Sequence, residues 1–331
     1  MMLNASQREF EELVSPHLTA IQLYCYRMLG TLQDAEDALQ ETLLRAWKHL
    51  GSLQDEGSLR SWLYKIATNV CFDALKHKSR REIPLPPIPE GGDLQSEPAL
   101  LPEKAALEPI PEAWLGALAP EVEAAYAARE SVRLAFMAAL QVLPPRQRAV
   151  VILRDVLEMS ALESAEALGI SIPSVNSALL RARSSLEKSS QLGSGSGVTA
   201  QVQDEDVSVL LDQYVRAWEA ADVPRLIELF SQDIAFTMPP ATVWFKGMQK
   251  IRTLLTDVLF GGGARDLWRL LPTRANGQPA FGLYVLNPED GSYHPYAIQV
   301  LTVRAGRIAE ATNFLYPSYF SRFGLPEKIK K

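Results

Sequence analysis

The sequence predicts a multidomain chain: two small all-α domains followed by an α+β domain. Three observations carry that expectation. The 331 residues exceed what one domain of about 100–200 residues holds. Two segments interrupt the chain: nine prolines fall among the 37 residues from Pro84 to Pro120, and Ser189–Val198 reads SSQLGSGSGV. Proline removes backbone donors and disfavours helix in the residue before it, so the first segment reads as an extended linker. The second reads as a flexible Gly/Ser tether. Finally, apolar residues recur at helical spacing as far as the tether, and beyond it helices give way to a run of short strands. The expected domains are 1–81, a linker 82–130, 131–190, a tether 191–203, and 204–331.

Composition narrows the function classes. With 47% apolar and 22% charged residues the chain is of ordinary globular type. No run approaches the roughly 18 apolar residues of a membrane span, and the N-terminus lacks a secretory leader's basic and apolar regions, so the expectation is a cytoplasmic protein with no membrane partner. Two cysteines, Cys25 and Cys71, are too few for a disulfide framework. The four histidines are scattered, so neither a metal site nor a cofactor is expected. The net charge of -6 argues against nucleic acid until it is located along the chain. Residues 1–81 are neutral, 82–130 carry -8, 131–190 carry +2 and 191–331 are neutral. The acidity belongs to the linker.

In the first domain, Ala35, Ala38, Leu39, Leu43, Ala46, Trp47 and Leu50 fall at helical spacing from Asp34 to Leu50, with Asp34, Glu36 and Asp37 at the end where the helix dipole favours anions. A second helix over 59–78 buries Leu63, Ile66, Ala67, Val70 and Ala74. From Arg60 to Arg81 it carries six basic residues and one acid, Asp73. A basic helical face with interleaved Trp62, Tyr64 and Phe72 can hold phosphates and stack on unpaired bases, although basic residues in a last turn also complement the dipole.

The second domain carries a helix-turn-helix pattern in LPPRQRAVVILRDVLEMSALESAEALGISIPSVNSALLRARSSLEK. Ser160 and Glu163 stand at the reciprocal positions of a capping box, and a helix from Ala161 to Leu168 stops at Gly169. Ser171 caps the next helix and Pro173 sits in its first turn. Val175, Ala178, Leu179 and Ala182 form its buried stripe. Pro173, Ser174, Asn176, Ser177, Leu180, Arg181 and Arg183 are left facing outward, where a recognition helix meets base edges and phosphates.

DAEDALQETLLRAWKHL and SLRSWLYKIATNVCFDALKHKSRR resemble region 2 of the bacterial sigma-70 family, in its extracytoplasmic-function group. The helix-turn-helix segment resembles region 4 of the same family. The resemblance implies that Asp37, Gln40, Glu41, Leu44 and Trp47 dock on the clamp helices of core RNA polymerase. It places Trp62, Asn69, Asp73, Lys76 and Arg80 near the melted -10 strand, and Ser171, Ser174, Asn176, Ser177, Arg181 and Arg183 at the -35 element. The Leu143–Arg154 neighbourhood would meet the polymerase flap. No region 3 separates the two parts, and the acidic linker would thread the RNA exit path, its charge imitating a nucleic-acid backbone. Within it Trp114 and Leu115 form an isolated apolar pair that could dock on the third domain or on core, or serve as a small hydrophobic anchor with no regulatory meaning.

In the third domain, Val207, Leu210, Leu211, Tyr214 and Trp218 share one helix face. A short helix PRLIELF, strands in IAFTM and TVWFK, a helix GMQKIRTLLTDVL, and strands around AFGLYVLN, YAIQVLTV and RIAEATNFL follow. Such an order implies a curved sheet wrapped around a helix. MPP, PTRANGQPAFGLY and GRIAEATNFLYP resemble the SnoaL-like branch of the NTF2-like cone fold, found as a C-terminal extension on some sigma factors of this group. Cone relatives enclose an apolar pocket, for which Trp218, Asp233, Asn276, Tyr284 and His294 are the candidate lining, with a small molecule as the candidate ligand. The expected function is promoter-specific initiation by a protein that is not an enzyme, with the third domain modulating it in cis. A ligand-responsive helix-turn-helix regulator, and a cyclase or isomerase fused to a DNA-binding module, are the competing readings; neither needs the region 2 helices.

Overall fold

The computed structural model describes residues 5–53, 58–79, 107–116, 130–192, 204–239, 244–261 and 266–331. Arg80, most of the acidic linker and the Gly/Ser tether lie outside them. The chain divides into two compact units, Met1–Pro84 with Ala113–Ser196, and Leu85–Glu112 with Gly197–Lys331.

The first unit is helical. Helices α1 (Ala5–Val14), α2 (Leu18–Leu29), α3 (Leu32–Lys48) and α4 (Leu59–Ser79) form its first half. Helix α2 is buried on every side from Leu23 to Leu29, as an apolar helix at the centre of a bundle must be. It stops at Gly30, whose φ of +83° is open to glycine at little cost and whose N–H returns to the Tyr26 carbonyl at 2.8 Å. Helix α3 begins two residues before the predicted Asp34 because Thr31 is the cap, its hydroxyl accepting from the Asp34 N–H at 3.2 Å. Ala35, Ala38, Thr42 and Ala46 are its buried side, small enough for close approach to α2. Helix α4 buries Leu63, Tyr64, Ala67, Val70 and Cys71, while Ile66 and Ala74 are half-buried. A single turn, α5 (Ala113–Gly116), sets Trp114 edge-on against Tyr26 of α2 at 6.4 Å between ring centroids. Trp114 thus packs within its own unit, as a small hydrophobic anchor would.

The second half holds α6 (Leu134–Val142), α7 (Pro145–Val151), a π-helical turn Ile152–Val156, α8 (Ala161–Leu168) and α9 (Ile172–Leu192). Both arms of the capping box form. The Glu163 N–H donates to Ser160 Oγ at 3.1 Å, and the Ser160 N–H donates to Glu163 Oε2 at 2.7 Å. Gly169 takes the left-handed turn at φ +63°, and Val175, Ala178, Leu179 and Ala182 are buried.

The second unit opens with α10 (Asp204–Glu219) and α11 (Val223–Leu229). A sheet of β1 (Phe230–Thr237), β2 (Trp244–Lys246), β3 (Trp268–Ala275), β4 (Gln278–Asn287), β5 (Ser292–Arg304), β6 (Arg307–Phe314) and β7 (Ile329–Lys330) follows. Helix α12 (Met248–Thr253) runs on through a π-helical turn to Leu259 between β2 and β3. Strand order is β2-β1-β6-β5-β4-β3, with β7 on β5, and among the described residues only β1–β6 is parallel. Tyr214 and Trp218 of α10 pack against Phe230, Phe260, Trp268 and Phe281, which is the core of the cone. Strand β3 was not expected, because Pro272 interrupts WRLLPTRA. It lies at the end of the sheet order, where one side of a strand owes no ladder bond and proline is tolerated.

Candidate nucleic-acid interface

Three helical surfaces of the first unit present the residues that the sequence singled out. On α3, Asp37, Gln40, Leu44 and Trp47 are exposed along one side, and Glu41 is half-buried. Leu44 is 55% and Trp47 41% exposed, although Trp47 also lays one edge on Phe10 at 5.2 Å between centroids. Leu44 and Trp47 stand three residues apart, so their exposed parts lie on one face of the helix, beside carboxylates. Glu41 accepts from Arg45 Nε at 2.7 Å, and Arg45 Nη1 reaches Asp73 on α4 at 3.1 Å.

On α4, Asn69, Asp73 and Lys76 are exposed and Trp62 is half-buried. Asp73 braces α4 to α3 through Arg45, so its first role is structural. Trp62 is neither a core residue nor fully free, and part of its ring stays in water. Tyr24 and Thr68 share a buried hydroxyl contact at 2.6 Å that fixes α4 on α2, and burial pushes the Tyr24 hydroxyl well above its ordinary range.

On α9, Ser171, Ser174, Asn176, Ser177, Leu180, Arg181 and Arg183 are all exposed, and the buried stripe faces the other way. The Ser171 and Ser174 hydroxyls lie 2.9 Å apart, and Ser171 Oγ also accepts from the Ser174 N–H at 3.4 Å. The first turn is therefore pre-formed. Arg183 grips Asp155 with two bonds of 3.1 and 2.6 Å, which raises its pKa above the ordinary guanidinium value. No ion pair engages Arg181 among the described residues, leaving it the freer cation of this face.

The third-domain residues do not come together. Trp218 is buried in the cone, where it surrounds a void of about 10 Å³ with Met238, Leu259, Trp268, Leu283, Tyr296, Asn313 and Leu315. That is room for at most one water. Tyr284 follows Leu283 on β4 and so faces the opposite side of the sheet, where it stacks edge-on against Phe320 and donates to the Pro326 carbonyl at 2.7 Å. Asp233 is exposed and takes the Ser231 hydroxyl at 2.7 Å, a bond that lowers its pKa. His294 lies at the surface, 2.9 Å from Asp290, and Asp290 also binds Lys328 at 2.6 Å. Asn276, with φ +54°, forms the β3–β4 turn with Gly277. Its Oδ1 accepts from the Ile110 N–H at 2.9 Å and its own N–H donates to the Ile110 carbonyl at 3.0 Å. Of the five residues, Trp218 alone lines the void. The expected pocket is filled by aromatic side chains, and alternation along the strands carries Tyr284 away from it.

Sequence reasoning missed the residues that Asn276 holds. Linker residues Glu108, Pro109, Ile110 and Pro111 are buried on the second unit, Pro111 bridges to Ala275, and Glu112 faces Arg274 at 3.6 Å. Burial and the nearby Glu108 push the Tyr319 hydroxyl above its ordinary range. A proline-rich stretch gave no sign that four of its residues dock.

The architecture defines a class: a helix-turn-helix protein with a second exposed helical interface and a closed cone domain on the same chain. Residues 13–81 match the family model of sigma-70 region 2, residues 133–186 that of sigma-70 region 4, and residues 211–311 that of the SnoaL-like domain. The chain is 40% identical over 322 residues to the ECF RNA polymerase sigma factor SigG of Mycobacterium tuberculosis, covering 97% of this chain and 85% of that one. It is 26% identical to SigJ of the same organism over 97% of this chain and 95% of that one. The crystal structure of SigJ superposes with a TM-score of 0.60 at 25% identity, covering 96% and 99% of the two chains. The chain belongs to the extracytoplasmic-function sigma factors of the sigma-70 family. Among the described residues, no helix is long and apolar enough to cross a membrane.

Proposed function

We propose that this protein is a promoter-specificity subunit of bacterial RNA polymerase: it binds the core enzyme and directs initiation at promoters with defined -35 and -10 elements. Carrying this reading is the 40% identity to a sigma factor across nearly the whole chain, together with the exposed faces of α3 and α9. The Asp37–Trp47 face of α3 docks on the clamp helices of core. Helix α4 holds the melted -10 strand through Trp62, Asn69 and Lys76, with Arg80 just beyond. Helix α9 reads the -35 element through Asn176 and Arg181, with Ser171, Ser174, Ser177 and Arg183 placing the helix on the backbone. The protein works in the cytoplasm, where polymerase is, and is not an enzyme.

The third domain modulates this activity in cis. What supports this is the capture of linker residues 108–111 by the β3–β4 turn, which restrains the connection between regions 2 and 4. A small-molecule effector would need the void beside the Trp268–Tyr296 pair, whose ring centroids lie 5.1 Å apart, to widen. Reconstitution with core polymerase tests the reading. The full chain is expected to direct initiation from a cognate promoter, and Leu44→Asp with Trp47→Asp is expected to abolish core binding. A chain that supports no initiation from any promoter, with or without residues after 192, overturns it.

A further inference from the structure

The chain has two cysteines, and neither belongs to the faces assigned to core or DNA. The fold brings them together. Cys25 of α2 and Cys71 of α4 are both fully buried, and their thiols are in hydrogen-bond contact. The packing around them fixes that encounter. Thr68 and Cys71 are three residues apart and so share one face of α4. That face meets α2 at Tyr24, the residue before Cys25, whose hydroxyl contacts Thr68 and whose ring stands edge-on to Tyr64 at 5.2 Å between centroids.

A third group joins the pair. The guanidinium of Arg148 on α7 is 5% exposed and lies within electrostatic reach of Cys71, each shifting the other's proton affinity. Its Nη1 donates to the Met28 carbonyl and to Gln141 Oε1, and its Nη2 to the carbonyls of Gln141 at 2.9 Å and Leu143 at 3.2 Å. All these acceptors are neutral, and Nε has no acceptor among the described residues. Burial pushes the guanidinium down to about 10, so it stays charged at neutrality. Buried cations ordinarily sit against anions, because taking a charge out of water is costly. The ionisable neighbour of this cation is the Cys71 thiol.

Thiolate is the reactive form of cysteine, and a nearby cation favours it. Two effects therefore oppose each other at Cys71. Burial, the larger, pushes its thiol well above the ordinary range, and Arg148 pulls it down. Thiolate is scarce at neutrality, so the site is silent toward trace oxidant and answers a sustained supply. Arg148 favours the anion at Cys71, and Cys25 is the thiol placed to resolve its oxidised form.

We propose that Cys25 and Cys71 are an oxidation site for hydroperoxides, closing a disulfide between α2 and α4 in the folded chain. The Cys71 thiolate attacks one oxygen of hydrogen peroxide. The S–O bond forms as the O–O bond breaks, and the departing hydroxide takes up the proton the thiol gave up. Cys25 then attacks the sulfenic sulfur: the S–S bond forms, the S–O bond breaks, and hydroxide leaves with the Cys25 proton as a second water. The two sulfurs together lose two electrons and the peroxide gains them. A disulfide of about 2.0 Å is shorter than any unbonded sulfur contact, so closing it draws α4 toward α2. Helix α4 carries Trp62, Asn69 and Lys76, so the effect on initiation rests on the sigma-factor reading, whereas formation of the bond does not.

The test treats the full chain with hydrogen peroxide under native conditions without reductant and counts its thiols by alkylation and mass spectrometry. Both thiols are expected to be lost together, with a mass lower by two hydrogens, a Cys25–Cys71 cross-linked peptide and recovery with dithiothreitol. Cys25→Ala is expected to stop at a sulfenic acid that dimedone traps on Cys71, while Cys71→Ala leaves Cys25 unlabelled. Freed of peroxide and mixed with core polymerase, the oxidised chain is expected to initiate several-fold less and to regain its rate with dithiothreitol. The chain carrying both Cys25→Ala and Cys71→Ala should not respond. Thiols that stay free while methionines oxidise, or a disulfide that forms only in urea or only between chains, overturn the site. Dimedone on Cys25 instead overturns the role given to Arg148. A disulfide that forms and leaves initiation unchanged overturns its control of α4, and an unoxidised chain that fails to initiate overturns the sigma reading instead.

Discussion

Arg181 and Arg183 stand two residues apart on α9, both exposed, yet the fold gives them different duties. Arg183 is held by Asp155, while no ion pair of the described residues occupies Arg181. Arg181→Ala is therefore expected to weaken binding of a -35 duplex by about 1–3 kcal/mol and to relax sequence preference. Arg183→Ala should weaken all duplexes alike and lower the salt slope by about 1. Fluorescence anisotropy against matched and scrambled duplexes over a salt series checks both, and equal losses on both duplexes for Arg181→Ala would remove its reading role. The outward set of α9 was legible from the stripe of Val175, Ala178, Leu179 and Ala182, because a 3.6-residue period fixes the opposite face too. The partners of the buried Arg27 and Arg148 were not. Their acceptors are chiefly backbone carbonyls, and Arg148 meets that of Met28, 120 positions away. Every residue has a carbonyl, so no side-chain pattern announces such a partner.

At the scale of elements, local chemistry was the readable part. Helix α8 spans Ala161–Leu168 as predicted because both its ends carry their stop signals in the sequence. Ser160→Ala should cost about 1 kcal/mol in thermal unfolding, the usual worth of a cap. Its partner adds a pH dependence. The bonds from Ser160 hold the Glu163 carboxyl below its ordinary pKa in the folded state. A depressed folded pKa contributes stability above the unfolded value and loses it as pH falls through the folded one. The gap between wild type and Glu163→Ala is thus expected at pH 7 and should shrink toward pH 3; a gap constant with pH would show that the carboxylate contributes nothing. The linker clip is an element of another kind, made of a proline-rich strand and a turn. Asn276→Gly keeps the positive φ that the turn needs but deletes the acceptor of the Ile110 N–H. Hydrogen exchange at Ile110 should accelerate while the β3–β4 ladder stays protected. Ile110→Ala, emptying a fully buried site, should weaken the docked segment by about 2–5 kcal/mol and expose it to proteolysis. The clip was illegible because Pro109 and Pro111 favour an extended chain wherever it lies, and only the turn across from it turns extension into docking.

For the whole molecule, the net charge of -6 is the sum over a neutral first domain, a +2 helix-turn-helix, a -8 connector and a neutral third domain. The charge thus lies apart from the surfaces proposed to face promoter DNA, in the segment that joins them, and four residues of that segment are buried against the second unit. Ending the chain after Leu192 removes the clip and keeps every residue of α1 to α9. Asn276→Gly in the full chain loosens the same clip by a different route, since it deletes the acceptor of the Ile110 N–H. Single-round transcription on one promoter compares the two with the unsubstituted chain. Both are expected to change the initiation rate in the same direction, the truncation by more. A truncated chain that initiates at the rate of the full chain overturns the modulating role of the third domain.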